Sequence, residues 1–199
     1  MTYKMTYATA AGCSHTAGTG IDLDNCYASC ISRHYNMPVL NQGVPSGNHT
    51  HVLMNIVEIL KANHRPEFII AQWPNPIRRT MWTNGVKQLQ NINTADTAFT
   101  LLLKNGEENF YEDWLQSIIV SNLLCKLADV PIVNIMLEDI VDCYHARLSN
   151  EHIKLHVDQK LPGLTWLFDS AASDQLHHSA YCHKQWADRI IGLIDEITP

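Results

Sequence analysis

No stretch of this 199-residue chain is apolar for the ~20 residues that a membrane span needs. Its opening residues, Met1-Thr2-Tyr3-Lys4-Met5-Thr6-Tyr7, lack the apolar core of a secretory signal, which favours a cytoplasmic protein. Charge is sparse at 17% of residues, and 14 Lys and Arg stand against 20 Asp and Glu, for a net charge of -6. A mildly acidic chain without a basic stripe lacks the cationic surface that holds nucleic acid or anionic membranes. The six cysteines, at 13, 26, 30, 125, 143 and 182, show no CxxC spacing and are too few for a disulfide scaffold. They read as reduced, mostly buried thiols. No internal repeat, linker or low-complexity segment breaks the chain. What is present is 46% apolar residues in the length of one ordinary domain, enough for a substantial core, so residues 1–199 read as a single globular domain.

Hydrophobic patterning alternates between strand and helix. Met5–Ala11 reads as a first strand, Asp24–Tyr35 as a helix, and Val39–Val44 as a short second strand. His51–Ala62 is a periodic helix. Glu67–Trp73 holds the apolar run of a strand covered on both faces, stopped by Pro74. Arg79–Asn105 is polar and reads as a long loop with short structured pieces. Phe110–Leu127 is a helix and Val130–Leu137 a strand. Glu138–Leu148 reads as a short helix, Ile153–Val157 as a short strand, and His178–Ile197 as the closing helix. This alternation predicts an α/β protein, a three-layer α/β/α sandwich with a mostly parallel, flavodoxin-like sheet. Active sites in such sheets sit at the C-terminal ends of the strands. The Ser14, Gly43–Gly47 and Trp73–Asn75 turns each follow a strand, so all three are expected at one edge.

The residues at that edge fit acyl-transfer chemistry. This needs a nucleophile, a base, a group that orients the base, and donors for the oxyanion. Ser14 stands in Gly12-Cys13-Ser14-His15-Thr16, a small-residue turn after the first strand. By itself that turn is as well read as a capping serine. His177 is the candidate base, and Asp174, one helical turn earlier, can fix its tautomer. A plain helix start capped by Asp174 is the other reading, and His178 is a rival base. Gly43 and Gly47 permit a close backbone approach and an outward N–H, and Asn75 can aim an amide at the same oxyanion. Each of these also reads as an ordinary loop residue.

Taken together and in this order, the segments resemble the SGNH (GDSL-like) hydrolases. Gly12-Cys13-Ser14 resembles the Gly-Asp-Ser block, with Cys13 in place of the Asp. Asn41-Gln42-Gly43 through Gly47 resembles the second block, with one residue inserted. Gln72-Trp73-Pro74-Asn75 stands where the third block has Gly-x-Asn-Asp, and Asp174-x-x-His177 resembles the last. Trp73, with Arg78 or Arg79 just beyond, is similar to divergent, phage-like or environmental members. The resemblance implies a serine esterase for short-acyl or acetyl esters, working through an acyl-enzyme. It implies a triad of Ser14, His177 and Asp174, an oxyanion hole of Ser14, Gly47 and Asn75, and substrate contacts at Trp73 and Arg78. No cofactor is implied, and the expected partner is a small-molecule or carbohydrate ester.

Three other readings remain at this point. The altered third block leaves room for a catalytically weak glycan-binding module. Acyl transfer to a sugar would use the same site. A metal-dependent hydrolase would draw on eleven histidines, among them His145, His152 and His156 near Cys143, and His177, His178 and His183 near Cys182. Neither group has established zinc-ligand spacing, and His183 reads as structural.

Overall fold

The computed structural model describes residues 6–74, 79–83, 86–90, 107–136, 173 and 177–198. Its strands are β1 (Ala8–Gly12), β2 (Val39–Gly43), β3 (Ile69–Trp73), β4 (Arg79–Thr83), β5 (Val86–Gln90) and β6 (Ile132–Met136). Its α-helices are α1 (Ser14–Ala17), α2 (Tyr27–Tyr35), α3 (His49–Lys61), α4 (Glu107–Ala128) and α5 (Ala180–Ile197). A 3-10 turn at Leu23–Asn25 takes up the start of the helix expected from Asp24. The expected helix Glu138–Leu148 and strand Ile153–Val157 lie outside the described residues.

Four strands form a parallel sheet in the order β2-β1-β3-β6. From β1 the chain moves outward to β2, then returns past β1 to β3. The order therefore reverses at β1, which places the switch-point crevice between β1 and β3. Because parallel crossovers are right-handed, that reversal sends α2 to one face of the sheet and α3 and α4 to the other. The two cores follow. Ala8, Ala10, Ile70, Val133 and Ile135 join residues of α2 and α5 on one face. Ala11, Ile69, Ala71, Trp73, Ile132 and Met136 join residues of α3 and α4 on the other. The architecture is the expected α/β/α sandwich.

Within Arg79–Asn105, expected as a loop with short structured pieces, β4 and β5 pair antiparallel. Of the described cysteines, Cys13, Cys26, Cys125 and Cys182 are buried. No helix among the described residues is long and apolar enough to cross a membrane.

Helix α5 starts at an N-cap, where the Ser179 hydroxyl accepts from the Cys182 N–H. It docks on α2 through His183, whose ring stacks on Tyr27 at 6.0 Å and lies 4.8 Å from Trp186. The Tyr27 N–H donates to His183 Nδ1 at 3.3 Å, so the ring is neutral and carries its proton on Nε2. Burial, and then the neighbouring His178 and His177 rings, push the His183 pKa from its ordinary 6.5 down to about 4. The unfolded chain therefore binds the extra proton first, and stability falls as the pH drops from 6.5 towards 4. We expect this residue to remove about 2 kcal/mol between pH 7 and pH 5. Urea unfolding at both pH values checks it: His183→Gln should lose less between them than the wild type, and equal losses would contradict the assignment.

Candidate active site

Strand β1 delivers Ser14 to the C-terminal edge of the sheet, beside the switch-point crevice. Cys13 is extended (φ -96°, ψ -154°), and Ser14 opens the single turn of α1. Gly18, at φ +74°, ends that turn in the left-handed region where glycine carries no steric penalty. Ser14 is 5% exposed, and its Oγ lies 4.0 Å from Cys13 Sγ. The Cys13 side chain sits in the apolar cluster between the sheet and α2/α5. A carboxylate there would be buried among apolar groups, which gives a reason for cysteine where the related block has Asp.

The turn is held from three sides. From β3, Gln72 Oε1 accepts the Cys13 N–H at 3.0 Å and the Thr16 hydroxyl at 3.1 Å. From α2, the Tyr27 hydroxyl lies 2.8 Å from Thr16 Oγ1. Since a carbonyl oxygen can only accept, Thr16 donates to Gln72, and Tyr27 donates to Thr16. Burial drives the Tyr27 pKa far up, which keeps that donor protonated. From β2, Asn41 Nδ2 donates to the Thr16 carbonyl at 2.6 Å, and Asn41 Oδ1 accepts the Gly43 N–H at 2.9 Å.

Glycine makes this approach possible. A Cβ on Gly12 would lie 2.0 Å from Thr16 Oγ1 and 2.8 Å from Gln72 Oε1. One on Gly43 would lie 2.2 Å from the backbone nitrogen of Ala17. A side chain at Gly12 would displace the Thr16 and Gln72 side chains, and one at Gly43 the backbone of α1.

The second turn departs from expectation. Gly47 was expected to offer its N–H to an oxyanion. Instead that N–H donates to the Val44 carbonyl at 2.8 Å. With Pro45 following Val44 and Ser46 at φ +60°, this is a type II turn closed by Gly47. Gly47 stays close to the Ser14 turn, because a Cβ there would be 3.5 Å from the Gly12 carbonyl oxygen. Trp73, expected at the substrate, is 1% exposed and sits in the core beneath α4. Its Nε1 donates to Asn134 Oδ1 at 2.8 Å, and Asn134 Nδ2 donates to Asn122 Oδ1 at 2.9 Å. Residue 73 points to the α3/α4 face by strand alternation, so its ring offers no platform for a ligand at this edge.

His177 does come to the Ser14 turn. Its half-buried ring lies 5.1 Å from that of His15, the residue after Ser14. His178 lies 5.0 Å from His15 and 4.7 Å from Trp186, and it is buried. Burial, followed by the neighbouring His177, lowers the His178 pKa. The Ser173 hydroxyl donates to the Gly20 carbonyl at 2.7 Å. Asn75, Arg78 and Asp174 lie outside the described residues, as do Cys143, His145, His152 and His156 of the metal reading. Sequence reasoning missed Gln72, Thr16, Tyr27 and Asn41 as the frame of the turn. A glutamine inside a buried parallel strand was the one available signal, since such a residue needs a partner.

Gln72→Leu leaves the buried Cys13 N–H without its acceptor and the Thr16 hydroxyl with Tyr27 as its remaining partner, and we expect it to cost about 2 kcal/mol in urea unfolding. Gln116→Leu, on the exposed side of α4, serves as the matched control and should stay within about 0.5 kcal/mol of wild type. Similar losses in both variants would contradict the bonding described.

No protein-family model matches the sequence, and no curated protein matches it. Solved structures do match over nearly the whole chain. The crystal structure of TesA aligns with a TM-score of 0.65 at 9% identity, covering 95% of this chain and 98% of its own. A carbohydrate acetylesterase family member from Sinorhizobium meliloti aligns at 0.55 and 10% identity, covering 97% and 99%. AlinE4, an SGNH-hydrolase family esterase, aligns at 0.51 and 16% identity, covering 98% and 97%. At such identities the likeness is one of architecture: the chain has the fold of the SGNH hydrolases.

Proposed function

We propose that the chain is a serine esterase that hydrolyses carboxylic esters of short acyl groups, acetyl esters foremost, through an acyl-enzyme. The observation that carries this reading is the approach of His177 to the turn that opens with Ser14, at the switch-point edge of the sheet. The names of two structural neighbours, a carbohydrate acetylesterase family member and an esterase, support the reaction class and add carbohydrate esters to the substrates worth testing.

In this reading Ser14 Oγ attacks the ester carbonyl while His177 takes its proton. His177 then returns the proton to the departing alcohol. Water, deprotonated by the same ring, hydrolyses the acyl-Ser14. Asp174 holds the tautomer of His177 and stabilises the imidazolium that forms. The Ser14 N–H, in the first turn of α1 where helical carbonyl partners are missing, and the Asn75 carboxamide bind the oxyanion. Gly47 is left out of that set because its N–H closes its own turn. The clamp on α1 gives the mechanism a fixed nucleophile backbone, so little reorganisation remains for the reaction step.

Hydrolysis of p-nitrophenyl acetate, butyrate and octanoate tests the reading. Ser14→Ala should lose nearly all turnover and keep the wild-type melting temperature, whereas undiminished hydrolysis by that variant would remove Ser14 from the mechanism. Asn75→Ala should lower kcat by about a hundredfold to a thousandfold with little change in KM. An unchanged kcat would assign the oxyanion to other donors.

A further inference from the structure

The SGNH-like chemistry proposed above leaves His15 without a task, yet this residue occupies the seam between the two halves of the site. It follows Ser14 directly and is 3% exposed. Its ring meets the ring of His177 at 5.1 Å with the planes at 61°, and that of His178 at 5.0 Å and 46°. Behind it stands Trp186 of α5, at 6.0 Å and 66°, which also packs edge-on against His178. His15 belongs to α1, whose backbone is fixed by Asn41 and Gln72. His177 lies just before α5, and Ser173, four residues earlier, donates its N–H and hydroxyl to the Gly20 carbonyl.

We infer that His15 is a positioning residue, and that its ring edge sets the plane of the His177 imidazole relative to the Ser14 hydroxyl. The inference rests on the esterase reading, in which His177 is the base. An edge-to-face contact between two rings has a preferred tilt as well as a preferred distance. An aliphatic side chain of similar volume fills the space but exerts no such preference. His15 rides on a turn fixed by Gln72 and Asn41, so its ring is a fixed edge against which the His177 ring packs. Proton transfer depends steeply on this alignment, and a displacement of about 1 Å costs about a hundredfold in rate.

The test compares wild type, His15→Phe and His15→Leu as full-length proteins in steady-state hydrolysis of p-nitrophenyl acetate, with melting temperatures measured alongside. His15→Phe keeps a ring, and it should retain kcat within about threefold. His15→Leu should lose kcat by about tenfold to a hundredfold while KM changes by less than about twofold. If His15→Leu melts early, His15→Met, a volume-matched flexible side chain, is measured in its place and should show the same loss. Equal kcat in wild type and the aliphatic variants, or equal losses in the Phe and aliphatic variants, would overturn the positioning role while leaving the esterase reading intact. A wild type inert towards all three p-nitrophenyl esters would instead overturn the esterase reading, and this inference with it.

Discussion

Gln72 is the residue on which the geometry of the site depends. From the end of β3, its single carbonyl oxygen holds both the Cys13 N–H that enters the Ser14 turn and the Thr16 hydroxyl inside it. The bonds lie in a buried place, where an unmade hydrogen bond is far more costly than a made one is favourable. That asymmetry is what makes the clamp rigid. It also dictates the surroundings: Gly12 has no room for a Cβ, Gly43 abuts the backbone of Ala17, and Tyr27 is left to donate to Thr16.

The clamp gains its meaning from topology. Reversal of strand order at β1 opens the crevice where α/β sheets bind ligands, and Ser14 lies between the two clamped residues, Cys13 and Thr16. The same reversal divides the helices between the two faces, which allows α5 to pack on α2 and bring His177 and His178 back over the turn. A buried, neutral His183 anchors that return through the Tyr27 N–H, so Tyr27 links the docking of α5 to the hydrogen bonds around Thr16.

Much of this architecture is legible in the amino-acid order because it follows from local pattern. The alternation of strand and helix, the apolar run Phe68–Ala71, and the periodic faces of His49–Lys61 and Ala180–Ile197 need no tertiary information. What pattern cannot supply is which way a particular group faces once the turns close. Trp73 lies at the strand end where a ligand contact is reasonable, but the parity of β3 turns it into the α3/α4 core, where Asn134 takes its N–H. Gly47 has the freedom of an oxyanion donor, but Ser46 at φ +60° completes a turn that uses its N–H internally. Gln72 reads as a polar residue out of place, and only the approach of α1 supplies its partners. The contact of His15 with His177 joins positions 162 residues apart and has no local signature.

The measurement that tests the central claim most directly is covalent labelling of the full-length protein by a fluorophosphonate, with the modified residue located by peptide mass spectrometry. The reagent reacts with a serine whose hydroxyl is activated by a neighbouring base, and it needs no knowledge of the natural ester. The account predicts stoichiometric modification of Ser14, abolished in His177→Ala and retained in His178→Ala. An unmodified Ser14, or labelling indifferent to His177, would contradict the claim that these two residues form one hydrolytic site.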